Sequence, residues 1–245
     1  MLTFLRKIRR SLIESGSARK YFIYAIGEIA LVVIGILIAL QINNWNEERK
    51  DNLQRTTLLV NLKSEYLINL EEIDNRIQTV DTTLKYATSV IKLMTPDYET
   101  LDEVEVTKNL TYVIIWFTTY DESSGALQDI INNNKLGLIK VDSLRLSLVS
   151  WKQKVDNVKE REARCLNLLQ NHLMPYVHKN FATLKFEYPK DSKLPSDNRR
   201  IMDDLQLETL LDDYRWNLTI LHRQYNIMRD ELNKILKLIE KEQKS

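Results

Sequence analysis

The residue with the most chemical interest in this sequence is an acid in an apolar place. Tyr21 to Ile42 reads YFIYAIGEIALVVIGILIALQI and is interrupted only by Glu28 and Gln41. As a helix rising 1.5 Å per residue the run covers about 33 Å, enough to cross a hydrocarbon core of about 30 Å. Taking Lys20 as the headgroup boundary puts Glu28 about 10 Å inside. Insertion scales charge an acidic side chain about 2.5–3.5 kcal/mol at a helix centre and less off-centre, so an intramembrane acid is a functional hypothesis. On a helical projection Tyr24, Glu28, Gly35 and Ala39 share one face, with Gly27 at its edge. Two readings stay open. Either small residues let a second backbone approach while the carboxyl hydrogen-bonds across, or Glu28 simply protonates or reaches the interface beside Tyr24.

Elsewhere the residue types that do chemistry are scattered. His172, His178 and His222 have no partner at a metal-ligand spacing such as HExxH, and there is no glycine-rich phosphate loop, GxSxG elbow or CxxC pair. No catalytic, cofactor-binding or metal-binding residue is therefore assigned, and the chain reads as a non-enzyme. Glu162 falls on an apolar helical seam, where a buried functional carboxylate is the alternative, but it sits in KEREAR and is expected to snorkel or to pair with Arg161 or Lys159. The densest aromatic and β-branched run, TYVIIWFTTY at 111–120, is expected to be core; lining a pocket beside DESSG is its alternative role. The glycosylation sequons at Asn109 and Asn217 fall within predicted helices. The single cysteine, Cys165, has no intramolecular partner and reads as core filler.

The elements that carry these residues are helices. Beyond residue 43 the only glycines are Gly125 and Gly137, and prolines occur only at 96, 175, 189 and 195. Leu70, Ile73, Ile77, Val80, Leu84, Ala87, Ile91 and Met94 alternate steps of three and four up to Pro96, with Leu62 and Tyr66 upstream. A second seam runs Val141, Leu144, Leu148, Trp151, Val155, Val158, Glu162, Cys165, Leu169 and Leu173, stopping before Pro175, with Asp142 as the expected N-cap. A third runs Leu207, Leu211, Tyr214, Leu218, Leu221, Tyr225, Met228, Leu232, Ile235 and Ile239. Between the first two lies a broken element. Val106, Leu110, Val113, Phe117 and Tyr120 give one helical face, and Leu127, Ile130 and Ile131 a shorter one after Ser123 or Ser124 as N-cap, before the turn NNNKLG.

Matching lengths and short connections predict an all-α protein: one N-terminal transmembrane helix, then an extracytoplasmic antiparallel bundle of about four long helices with the second irregular. The expected boundaries are a basic cytoplasmic segment at 1–20, a signal-anchor helix at 21–42, a helical stalk at 43–61 and the bundle at 62–245. Residues 180–200 have the clearest loop composition and are a candidate binding surface, as are residues 120–140. Arg6, Lys7, Arg9, Arg10, Arg19 and Lys20 precede the span against Glu14 alone, while acids and bases cancel in NNWNEERKD after it. This asymmetry predicts an N-terminus in the cytoplasm and a domain outside. Tyr21 and Trp45 are the interfacial anchors. A cleaved signal peptide fits less well, since its apolar region is normally 7–15 residues and Leu37 with Ala39 makes a poor cleavage pair. The opening apolar residues from Leu2 to Ile13 suit either a short interfacial helix or a solvated basic flank. Net charge is only +1, with 28% charged residues, which gives no case for nucleic acid.

The string RKIRRSLIE through KYFIYAIGEIALVVIGILIALQINNWNEERK, residues 6–50, resembles the N-terminal signature of an uncharacterised family of single-pass membrane proteins from flavobacteria and related Bacteroidota. Its specific elements are Tyr24 to Ile29, Leu31 to Gln41 and Asn43 to Asn46, and SSGALQDIINNNKLGLIKVDSLRLSL at 123–148 is similar more loosely. The resemblance implies a Gram-negative inner membrane with a periplasmic domain and supplies no activity. The expected function is a membrane-anchored interaction or scaffold module, its partners being the lipid bilayer and either a second copy or another membrane protein met through the span. A sensory or ligand-binding bundle signalling through a partner's transmembrane helix is the alternative.

Overall fold

The computed structural model describes residues 18–187 and 196–244. The first 17 residues and the stretch 188–195 lie outside the described residues, as do the side chains of Lys20 and Tyr21, so the basic flank, the anchor Tyr21 and part of the candidate loop surface are not placed. The protein is all-helical, with no strand among the described residues. With no glycine between Gly35 and Gly125 and no proline before Pro96, α1 runs unbroken from Ala18 to Leu93. The chain divides into two compact units at Thr56/Thr57, both of which α1 enters.

Within the first unit α1 is apolar on nearly every side from Phe22 to Ile42, interrupted by Glu28 and Gln41, and polar from Asn43 to Thr56. Its large side chains from Phe22 to Ile42 are exposed. One helix among the described residues is thus long and apolar enough to cross a membrane.

The second unit is a set of four antiparallel columns. The first is the end of α1, whose burial begins at Leu58 and Leu59. The second comprises α2 (Glu103–Ile115), a non-helical stretch from 116 to 124, and α3 (Gly125–Asn132). The third is α4 (Asp142–Leu168), which continues through the π turn Leu169–Leu173 into α5 (Met174–Asn180). After the short α6 (Leu184–Glu187) and a 3₁₀ turn (Asn198–Asp203), α7 (Leu205–Gln243) forms the fourth.

Register between the outer columns is read from their ion pairs. Lys63 meets Glu240, Asp74 meets Arg229 and Asp81 meets His222. Eleven residues forward along α1 from Lys63 correspond to eleven back along α7 from Glu240, and the next seven correspond to seven. Both spacings are close to whole turns, so all three pairs lie on one face of a straight antiparallel contact. All ten residues of the third predicted seam are buried on α7.

Three expectations need revision. The helix does not stop before Pro175 but continues to Asn180. Proline lacks an N–H and its ring collides with the carbonyl four residues back, and the wider π turn just before Pro175 absorbs both defects. It also keeps Cys165, Leu169, Leu173 and Val177 buried in steps of four, which a regular helix would rotate by about 40° per step. The helical face expected through Phe117 and Tyr120 ends at Ile115 instead. Asp142 makes no cap bond; Val141 occupies that position, and Glu242 from the end of α7 accepts the N–H groups of Lys140 (2.8 Å) and Val141 (2.6 Å). The turn NNNKLG is as its composition implied, with Asn134 supplying a left-handed residue at φ 54°.

Leu218, fully buried on α7, tests the register. In a soluble protein of residues 46–245, Leu218→Asp places an unpaired charge in the core and should lower stability by about 4 kcal/mol or more, seen as a large drop in the helical melting temperature.

Candidate functional site

The most unusual chemistry of the bundle gathers where the second column stops being a helix. From Trp116 to Ser123 the chain passes α1 between two fixed points: the Thr83 hydroxyl donates to the Trp116 carbonyl (3.0 Å), and the Asn69 amide brackets Ser123. Asn69 and Thr83 are fourteen residues apart on α1, about 21 Å along the axis. Seven residues of the second column cover that distance, about 3 Å each, which is extended chain rather than helix. The local sequence WFTTY, aromatic and β-branched, suits this conformation.

An extended segment among helices has no strand beside it, so its polar groups need other partners. Side chains supply them. Asn69 Nδ2 donates to the Ser123 carbonyl (2.7 Å) while its Oδ1 accepts the Ser123 N–H (2.8 Å), much as a neighbouring strand would. Glu162 Oε1 accepts the Tyr120 N–H (2.7 Å) and the Tyr225 hydroxyl (2.6 Å). Ser124 occupies the N-cap of α3, but its hydroxyl accepts from the Gln128 side chain (2.9 Å) and caps no backbone N–H; Glu65 caps that helix instead, taking the N–H groups of Ala126 (2.5 Å) and Leu127 (3.0 Å). Glu122 on the segment accepts the indole N–H of Trp151 (2.6 Å), a fully buried residue of α4.

These carboxyls sit in a poor dielectric. Burial pushes the pKa of Glu65 upward against the bonds from Ala126 and Leu127, and Glu122 adds to the rise. Burial likewise raises Glu122 against the Trp151 bond, and Glu162 against those from Tyr225 and Tyr120. The phenols of Tyr66, Tyr120 and Tyr225 are raised too, first by burial and then by these acids. Burial pushes the Cys165 thiol up to about 12, the property of an inert core residue.

Glu162 was expected to snorkel or pair with Arg161 or Lys159. It is 2% exposed, and its bonds are to Tyr120 and Tyr225 on two other columns. Sequence reasoning missed Glu65, Asn69, Thr83 and Glu122. One signal was available: Asn69, Arg76 and Thr83 recur every seven residues beside the α1 seam, a polar row where a plain bundle would be apolar. No group of metal-holding side chains occurs among the described residues.

The residues singled out on the apolar stretch share one face of α1. Tyr24, Gly27, Gly35 and Ala39 are exposed and Glu28 is half-buried. A Cβ built at Gly27 or Gly35 meets nothing within 4 Å. Trp45 is exposed farther along the helix. A separate open cleft of about 660 Å³ lies at the end of the bundle opposite residue 57, lined by Tyr176, His178, Phe181, Asp197, Arg200 and Asp204.

Replacing Glu162 separates its acceptor from its charge. Glu162→Ala orphans the Tyr120 N–H and Tyr225 hydroxyl and should cost about 2–4 kcal/mol, whereas Glu162→Gln, which keeps an acceptor, should stay within about 1 kcal/mol, both read by urea denaturation. pH sets a second test. A carboxyl raised in the folded state contributes stability that is full below its unfolded value, near 4.5, and is lost as pH rises through the folded value. Asp197, lowered by its Arg199 bond, behaves oppositely and loses its contribution as pH falls through its folded value. So does Glu103, where burial is outweighed by Lys185 and the Asn198 N–H. The denaturation midpoint should therefore rise from pH 8 toward mildly acid conditions and fall again below the ordinary carboxylate range.

The family model described as Family of unknown function (DUF6090) matches residues 28–156, just over half of the chain, and the chain belongs to that family. No curated protein and no solved structure matches it.

Proposed function

We propose that this DUF6090 protein is a membrane-anchored, non-enzymatic helical module that docks or scaffolds other envelope proteins. Residues 21–42 form a signal-anchor span in a bacterial inner membrane, with the N-terminus cytoplasmic and the bundle periplasmic. The observation that carries this reading is the contrast within α1, whose side chains are apolar and exposed on every side from Phe22 to Ile42 but amphipathic from Leu58 onward. An exposed surface so apolar is stable in lipid and not in water. The charge asymmetry around the span supports the orientation. The face of Tyr24, Gly27, Glu28, Gly35 and Ala39 offers close backbone approach to a second span, either another copy or a partner. A sensory or ligand-binding bundle is the second reading, favoured by the open cleft beside Phe181 and Arg200.

Two measurements test the proposal. Alkaline phosphatase fused after residue 60 should be active, and a fluorescent protein that folds only in the cytoplasm should stay dark there; the reverse pattern overturns the orientation. In membranes, Glu28→Leu and Gly35→Ile should each reduce cross-linking through the span while Ala30→Ile leaves it unchanged. Cross-linking indifferent to all three reduces the helix to a plain anchor.

A further inference from the structure

We infer that residues 116–127 form a strap that opens and closes as a unit on the bundle, latched by the carboxyls of Glu65, Glu122 and Glu162 and by the amide of Asn69. The geometry separates this segment from the rest of the second unit. Its neighbours are helices held by their own backbone bonds, whereas the strap, non-helical from 116 to 124 and ending in the first residues of α3, is held to other columns through side chains: Asn69, Thr83 and Glu65 of α1, and Trp151 and Glu162 of α4. Three of those attachments end on a carboxyl. Undocking would therefore break few backbone–backbone bonds, which marks a segment of low local stability.

Docking also sets Glu65 against Glu122 and takes Glu65 and Glu162 out of water, with Glu122 half-buried. Glu65 faces Glu122 on the strap and adjoins Tyr66 on its own helix. Glu122 is faced by Lys152, Asp156 and Lys159 of α4. Glu162 is faced by Arg76 of α1, Tyr225 of α7 and Tyr120 of the strap, with Lys159 and Cys165 beside it on α4. Glu72 of α1 also faces Tyr120, and Glu231 of α7 faces Tyr66. The Tyr120 hydroxyl, buried when docked, has no hydrogen-bond partner among the described residues, a cost that opening relieves. When the strap lifts, Glu65 loses the N–H groups of Ala126 and Leu127, and Glu162 loses that of Tyr120 while keeping the Tyr225 hydroxyl. Both reach water, and because burial is the larger influence on each carboxyl, ionisation becomes easier despite the lost bonds. The open form then binds fewer protons than the docked form, so rising pH must favour opening, by up to about tenfold per pH unit for each carboxyl inside its titration range.

The test is hydrogen exchange by mass spectrometry on the full chain in detergent micelles at pH 5.5 and 8.0, corrected for intrinsic exchange rates. Peptides covering 116–127 should show an opening constant roughly threefold or more greater at pH 8.0, while peptides from the middle of α7 change less. Glu65→Gln and Glu162→Gln should each flatten the response of the strap peptides. Equal responses in strap and α7, protection that increases with pH, or an undiminished response in both variants would each overturn the inference. The wild-type comparison decides the matter by itself if a variant fails to fold.

Discussion

The bundle turns on an accommodation between column lengths. α1 advances about 21 Å between Asn69 and Thr83, and the second column must cover the same distance with seven residues. Only extended chain reaches that far, and extended chain in a helical bundle lacks the neighbouring strand that would satisfy it. The polar row on α1, the buried Glu162, the Glu65 cap and the Trp151–Glu122 bond all answer that one requirement. Asn198 does the same at the other end of the bundle, bracketing Ala182 by both N–H and carbonyl as Asn69 brackets Ser123.

Using carboxyls for this purpose has an electrostatic consequence. A carboxylate accepts backbone N–H groups well, but burial disfavours its charge, and the raised values of Glu65, Glu122 and Glu162 show burial outweighing the hydrogen bonds. Their net contribution to stability is therefore small beside the penalty of removing them, which leaves donors without partners. Such a network specifies one docking of the segment more than it strengthens the fold. The apolar seams, with Trp151, Tyr66, Tyr214 and Tyr225 at their largest positions, supply the bulk of the burial.

The family match spans the apolar end of α1, the polar row, the extended segment and α4 as far as residue 156. It stops short of Glu162 and all of α7. The matched region thus contains Glu65, Asn69, Thr83 and Glu122, while Glu162 and Tyr225, which complete the attachment at Tyr120, lie beyond it.

Much of this protein is legible in its residues alone. The apolar run around Glu28, the absence of helix breakers and three seams at heptad spacing determine the helical class and the burial of every predicted α7 position, because periodic burial depends only on local geometry. The broken second element is legible for the same reason, and the turn at NNNKLG from its composition. Where the break lies, and what fills it, is decided by tertiary structure. Phe117 and Tyr120 continue a helical spacing in sequence, yet the distance to be covered along α1 makes them extended. Glu162 has nearby bases in sequence, but its partners come from residues 42 positions before and 63 after it. Asp142 and Ser124 have the composition of caps, yet Glu242 and Glu65 reach those helix starts from other columns. Local sequence names the groups able to bond, and only the packed columns determine which are within reach.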